Sequence, residues 1–190
     1  LAADSDDPEI RFRARQVLKR VEGGNVGNAG NAVVGYILHH RIAGLVQPLL
    51  EYMPHAGDDS AYGLTARAVR LTATKDDLEL LRKAIDDGPA FRQAACVLAL
   101  AQVQAEAAID ELVPLSKHGE PAVRLAAAEA LANLGSRAAL PPLVRLLDDE
   151  DSAARARSAQ LLRNFTHNRF DYVAYGDPED RAAAARRWRQ

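Results

Sequence analysis

The stretch Pro121–Ala122–Val123–Arg124–Leu125–Ala126–Ala127–Ala128–Glu129–Ala130–Leu131, closed by Gly135, decides the fold. Proline is tolerated in the first turn of a helix, where its missing N–H would have no partner. Val123, Ala126, Ala127, Ala130, Leu131 and Leu134 then recur at three- and four-residue spacing, which lays one apolar stripe along a helix. Gly135 ends it, because glycine takes the left-handed conformation past a last turn without steric cost. A second helix follows, with Leu140, Leu143, Val144 and Leu147 on one side and Asp148–Asp149–Glu150–Asp151 closing it.

The same arrangement returns on either side. Asp7–Pro8–Glu9–Ile10–Arg11, Gly88–Pro89–Ala90–Phe91–Arg92, Glu120–Pro121–Ala122–Val123–Arg124 and Asp151–Ser152–Ala153–Ala154–Arg155 each place a turn residue, then Pro or Ser, then an apolar residue directly before Arg. The last three begin at 88, 120 and 151, intervals of 32 and 31 residues. A period of that length marks stacked repeats. In the preceding unit Phe91, Ala95, Leu98 and Ala99 stand for the first helix, and Ile109, Leu112 and Val113 for the second. One unit earlier Tyr62, Ala66 and Val69 fit a first helix, and Leu78, Leu81 and Ile85 a second. A hairpin of two short amphipathic helices leaves apolar surface on both sides, so neighbouring hairpins must cover it. A plain Ala-rich bundle also shows a 3.6-residue period. It does not account for Pro-x-apolar-Arg at matched offsets.

Composition agrees. Of 190 residues 48% are apolar, but only 4 Phe, 1 Trp, 1 Met and 1 Cys occur, so the core is built of Ala, Leu and Val. Lys and Arg number 24 against 26 Asp and Glu, which excludes bulk attraction to phosphate backbones or acidic membranes. The longest apolar runs, Ala32–Val34 and Tyr36–Leu38, fall far short of a bilayer span. One cysteine supplies neither an internal disulfide nor a thiolate cluster, and Cys96 within Ala94–Leu100 is expected to be an inert core residue. The start at Leu1–Ala2–Ala3 implies a processed or excised beginning and leaves the compartment open.

Pro89–Ala90–Phe91–Arg92–Gln93–Ala94–Ala95, the Pro121–Leu131 stretch and Ala138–Ala139–Leu140–Pro141–Pro142–Leu143–Val144–Arg145–Leu146–Leu147 resemble HEAT repeats, an armadillo-like family. The resemblance is strong over about 75–165 and degenerate over 26–74. It implies an all-α, right-handed α-solenoid of antiparallel helix pairs with a C-terminal capping helix. It also implies a binding scaffold, with lyase-type or glycosylase-type activity in some members. The second helix of each pair should line a concave face, and Arg92, Arg124 and Arg155 should form a ladder with acids such as Asp87, Asp149 or Asp151.

Four segments result: an N-terminal helix over 1–22, expected as a cap or as the end of an upstream array, degenerate repeats over 23–74, HEAT-like repeats over 75–165, and an aromatic loop with an Arg/Trp helix over 166–190. Gly23–Gly24–Asn25–Val26–Gly27–Asn28–Ala29–Gly30–Asn31 costs too much backbone entropy for a helix interior, so residues 23–30 are expected to be a loop. Helices over 31–40 and 43–54 and a loop over 55–60 follow. The aromatic stretch 165–177 should cover the last helix pair, and Asp177–Pro178–Glu179–Asp180 should start the final helix with an acceptor side chain at its cap. That closing segment resembles those of some bacterial HEAT-repeat proteins.

Catalytic candidates are thin. His39, His40, His55, His118 and His167 carry no ligand spacing of a metal motif, and His39 and His40, being adjacent, should point to different sides. The glycines at 23, 24, 27 and 30 lack the Lys-Ser/Thr of a phosphate loop. Paired aspartates at 58–59, 76–77, 86–87 and 148–149 sit where helix caps belong. No catalytic residue, cofactor or metal is assigned. The candidate binding residues are Glu79, Arg82, Lys83, Glu111, Lys117 and Arg145 on second helices, with Arg187 and Trp188 at the end, and Asp110, Asp148 and Asp149 beside them. Both signs alternate there, which suits another protein, or another part of a longer parent chain, better than nucleic acid. The rivals are a lyase-type enzyme or accessory using the 23–60 region, and nucleic-acid binding through the Arg/Trp helix.

Overall fold

The computed structural model describes residues 7–20, 27–168 and 171–189. Every regular element among them is helical. They fall into two compact units, Leu1–Gln104 and Ala105–Gln190.

The first unit holds α1 (Pro8–Arg20), α2 (Gly27–His40), α3 (Val46–Tyr52), α4 (Asp59–Thr72), α5 (Leu78–Asp86) and α6 (Ala90–Gln104). First helices stack on first helices, α2 on α4 and α4 on α6, while α3 packs on α4 and α5 on α6. Val34, Ile37, Leu45, Leu49, Val69, Leu81 and Leu100 meet in its core, each at most 1% exposed. The element boundaries have local causes. Asp58 caps α4 by accepting the Ala61 N–H at 2.8 Å. Thr74 and Asp77 form a reciprocal capping box ahead of α5. The buried hydroxyls of Thr65 and Thr72 donate to the carbonyls four residues earlier, each at 2.8 Å, so neither lacks a partner.

The second unit holds α7 (Ile109–Leu115), α8 (Pro121–Asn133), α9 (Leu140–Leu146), α10 (Ser152–Thr166) and α11 (Pro178–Trp188). Here α8 packs on α7, α9 and α10, and α9 on α10. Gly135 takes φ 69°, and the Gly135 and Ser136 amides close the end of α8 on Ala132 and Leu131, both at 3.0 Å. Val123, Ala127, Leu131, Leu143, Leu147 and Leu162 form its fully buried core. Between α10 and α11 the described residues 167–168 and 171–177 are not helical. Of the expected aromatic cover, Phe170 lies outside the described residues; Tyr172 and Ala174 turn inward, while Val173 and Tyr175 are 62% and 74% exposed.

The expected loop over 23–30 is corrected at its second half. Residues 23–26 lie outside the described residues, but α2 begins at Gly27 and runs through Gly30. The cause is tertiary. Tyr52, 1% exposed, lays its ring against α2, and a Cβ on Gly30 would stand 2.5 Å from that ring. The Tyr52 hydroxyl then donates to Asn31 Oδ1 at 2.7 Å. A buried aromatic contributes several times the roughly 1 kcal/mol that a helical glycine costs. The expected helix over 43–54 is shorter, α3 giving way to a 3-10 turn at Met53–His55, and the expected loop over 55–60 ends early because Asp58 already caps α4. At the final helix Asp177 sits at the cap, yet its side chain makes no capping hydrogen bond.

Cys96 is fully buried in α6, and burial pushes its thiol from 9.0 up to about 12, against the pull of Arg92.

Three outcomes are expected. Gly30→Ala should lose about 1–3 kcal/mol in urea unfolding by overpacking Tyr52. Gly35→Ala in the same helix, where nothing lies within 4 Å of the new Cβ, should gain up to about 1 kcal/mol. The raised Cys96 thiol keeps its proton in the folded chain where the unfolded chain loses it. Its contribution is complete below pH 9 and declines towards pH 12, about 1 kcal/mol being lost by pH 10. Cys96→Ala should flatten that part of the alkaline fall in melting temperature.

Candidate interaction site

The recurring arginine sets the geometry of the turns between repeats. Arg92 Nη2 donates to the Asp87 carbonyl at 2.9 Å. Arg124 Nη1 donates to the carbonyls of His118 at 2.9 Å and Gly119 at 2.6 Å. Arg155 Nη1 donates to Asp149 at 2.8 Å and Glu150 at 2.9 Å, and its Nε to Ala174 at 3.0 Å. In each case a guanidinium in the first turn of a helix folds back onto carbonyls five or six residues upstream. Those carbonyls have left the preceding helix and need donors, and a cation there also opposes the negative end of that helix. Gly88 serves this contact directly. It takes φ 114°, and any Cβ on it would collide with the Arg92 guanidinium.

Arg181 is a fourth member that reading the sequence missed. It donates to Gly176 O at 2.5 Å, five residues upstream, from the first turn of α11. The signal was present, since Asp177–Pro178–Glu179–Asp180–Arg181 keeps the cap, proline and arginine offsets of Gly88–Arg92. An acid stands where the apolar residue was expected.

The expected Arg–Asp ladder is therefore corrected at two rungs. Arg92 and Arg155 bind backbone carbonyls, and only Arg124 reaches an expected carboxylate, Asp149 Oδ2 at 3.7 Å. A rung not foreseen joins α8 to α10, where Arg157 grips both oxygens of Glu129 at 2.5 and 3.1 Å. That hydrogen bond raises the Arg157 pKa further. Members of three of the four aspartate pairs accept backbone N–H groups beside helix ends, Asp58 and Asp77 as above and Asp149 Oδ1 from Asp151 N–H at 3.0 Å, while Asp151, outside the pairs, caps α10 by accepting the Ala153 N–H at 2.9 Å.

The turn after α9 collects the most partners. The Tyr172 hydroxyl donates to Leu147 O, and Arg189 pairs with Asp148. Burial lifts the Tyr172 hydroxyl above its ordinary value, with Arg155 and Arg181 pulling the other way.

Of the sequence-predicted binding residues, Glu79, Arg82 and Lys83 are exposed on α5 in the first unit. Lys83 lines a cleft of about 170 Å³ with Gln47, Glu51, Asp87 and Arg92. In the second unit Glu111 is half-buried on α7, while Lys117 and Arg145 are exposed and line one groove of about 680 Å³ with Arg124, Asp148 and Asp149. Pro121, Pro142 and Leu146 add apolar surface to it. Arg187 faces Asp171 at 3.9 Å, and Trp188 is half-buried. Arg189 pairs with Asp148, while Arg186 is exposed on the same end of α11. His39 and His40 do not diverge as expected. Their rings meet edge-on at 4.8 Å, and His40 lies 4.3 Å from the ring of Tyr36, four residues earlier on α2.

The matched turns, the paired short helices and the arginine that pins each turn find their counterpart among known families, where residues 78–163 match the model for HEAT repeats. This segment is a HEAT-repeat array. The HEAT match begins at the first residue of α5 and ends within α10, so it includes the groove and three of the four turn arginines. A search of curated proteins finds no match to the chain.

Arg155→Ala should unfold at clearly lower urea, losing about 3 kcal/mol, because three carbonyls lose a donor and the side chain is 9% exposed. Arg92→Ala, which removes one hydrogen bond, should lose about 1 kcal/mol. Equal losses in the two variants would contradict this account of the turns.

Proposed function

We propose that the chain is a non-enzymatic scaffold for protein–protein contact, with the exposed polar faces of its second helices as the binding surface. HEAT repeats generally serve as such scaffolds. The observation that carries the reading is the groove at the ends of α7 and α9. It is built on turns held rigid by Arg124 and Arg155, and it presents side chains of both signs to solvent. A rigid frame lowers the ordering cost of association, and alternating charge selects among partners. Tyr52, Cys96 and Tyr172, whose ionisation burial shifts, serve packing or turn closure, and Arg157 joins α8 to α10. Glu79, Arg82, Lys83 and Glu111 extend the candidate surface along α5 and α7, and Arg187 and Trp188 form its outlying part on α11.

A photo-crosslinking amino acid placed at Lys117 or Arg145 should capture a discrete protein in cells that make the chain natively. The same probe at Asn164, exposed on α10, should capture little of it. Equal capture from all three positions, or none from the groove, would remove this surface from the proposal.

A further inference from the structure

We infer that α11 pairs antiparallel with α11 of a second copy of the chain, Glu179 of each copy meeting Arg186 of the other across Ala182 and Ala183. The inference goes beyond the scaffold reading and does not depend on it.

The helix has two unlike sides. Ala184 and Ala185 are buried and Arg181 and Trp188 half-buried, so the side that holds these four turns into the chain. On the opposite side Glu179, Ala182 and Arg186 are exposed and Ala183 is half-buried, positions three, four and seven apart sharing one helix face. Glu179 and Arg186 stand about 10 Å apart along the axis. The residues between them on that face, Ala182 and Ala183, offer neither a counter-charge. Among the described residues neither side chain makes an ion pair. Asp180 and Arg187 repeat the spacing on the flank, where Arg187 also faces Asp171 at 3.9 Å, and Arg189 at the edge is paired with Asp148.

Acids in a first turn and bases in a last turn suit the dipole of any helix. On α11 they also share one exposed face, equally far from the midpoint between Ala182 and Ala183. A twofold axis through that midpoint sets Glu179 of one copy level with Arg186 of the other, and the reverse, so the face is complementary to itself. This needs no surplus of either sign. A parallel pairing would set Glu179 against Glu179 and Arg186 against Arg186. Two alanines at the crossing let the helix axes approach closely. Val173 and Tyr175, 62% and 74% exposed just ahead of the acidic end, add apolar area there. An 11-residue helix spans only about 16 Å, so the contact is small and the pairing reversible.

The test follows the mass of the full chain by sedimentation at concentrations up to about 1 mM, a range that the small contact demands. A monomer–dimer equilibrium that weakens as salt rises is expected. Glu179→Arg and Arg186→Glu, each checked by circular dichroism, should each weaken it at least about tenfold, because the twofold counts every substitution twice. Mixed in equal amounts, the two variants should associate again as a heterodimer, one presenting only cations at the paired positions and the other only acids. If a reversal disturbs the helix, Glu179→Gln and Arg186→Gln should still weaken the dimer about threefold. Ala182→Cys should give a disulfide between copies on mild oxidation, and Asn164→Cys, exposed on α10, little of it. A chain that stays monomeric over the whole range, a dimer indifferent to both substitutions, or no heterodimer from the mixed variants would overturn the inference.

Discussion

A guanidinium folded back onto the carbonyls of the preceding turn is the contact on which the helix pairs depend. A chain leaving one helix and entering the next leaves several C=O groups without intrahelical partners within a few residues. Arg92, Arg124, Arg155 and Arg181 all answer this from the first turn of the incoming helix. A lysine carries the charge but not the planar fork that lets Arg155 serve three carbonyls at once. Fixing the turn also fixes the direction in which the next helix leaves, so small side chains such as Ala126, Ala127 and Ala130 are brought into close contact in the core.

Much of this was legible in the sequence, because the signals are local. The Pro-x-apolar-Arg recurrence, Gly135 and the aspartate caps all act within a few residues of where they are written. The start of α2 was not legible for the opposite reason. Gly27–Asn28–Ala29–Gly30 reads as a loop by propensity, and what makes it helical is Tyr52, a ring supplied from another helix. The glycine that looked like a helix breaker is the clearance that ring needs. The arginine rungs failed similarly. The pattern placed Arg92 and Arg155 at the turns correctly, but nothing in it distinguishes a carboxylate acceptor from a backbone carbonyl one residue away.

The candidate site was legible as a set of residues and not as a place. Lys117 and Arg145 share a groove because the turn after α7 and the end of α9 line it together. Glu79, Arg82 and Lys83 belong to the other unit, where Lys83 lines a cleft beside α3 and Glu79 and Arg82 do not. Sequence could not separate committed from available charge. Asp148 reads as one more acid in a run, until Arg189, 41 residues away, is seen to hold it.

That last contact bears on how the chain comes to be folded. The turns at Arg92 and Arg124 are closed by residues five or six positions away, so each can be finished as soon as its own helix has left the ribosome. The turn after α9 is different, because its carbonyls and acid are met by Tyr172, which is 25 residues downstream of Leu147, and by Arg189. During synthesis Arg155 can close part of this junction early, but its bonds to Tyr172 and Arg189 wait until those residues emerge.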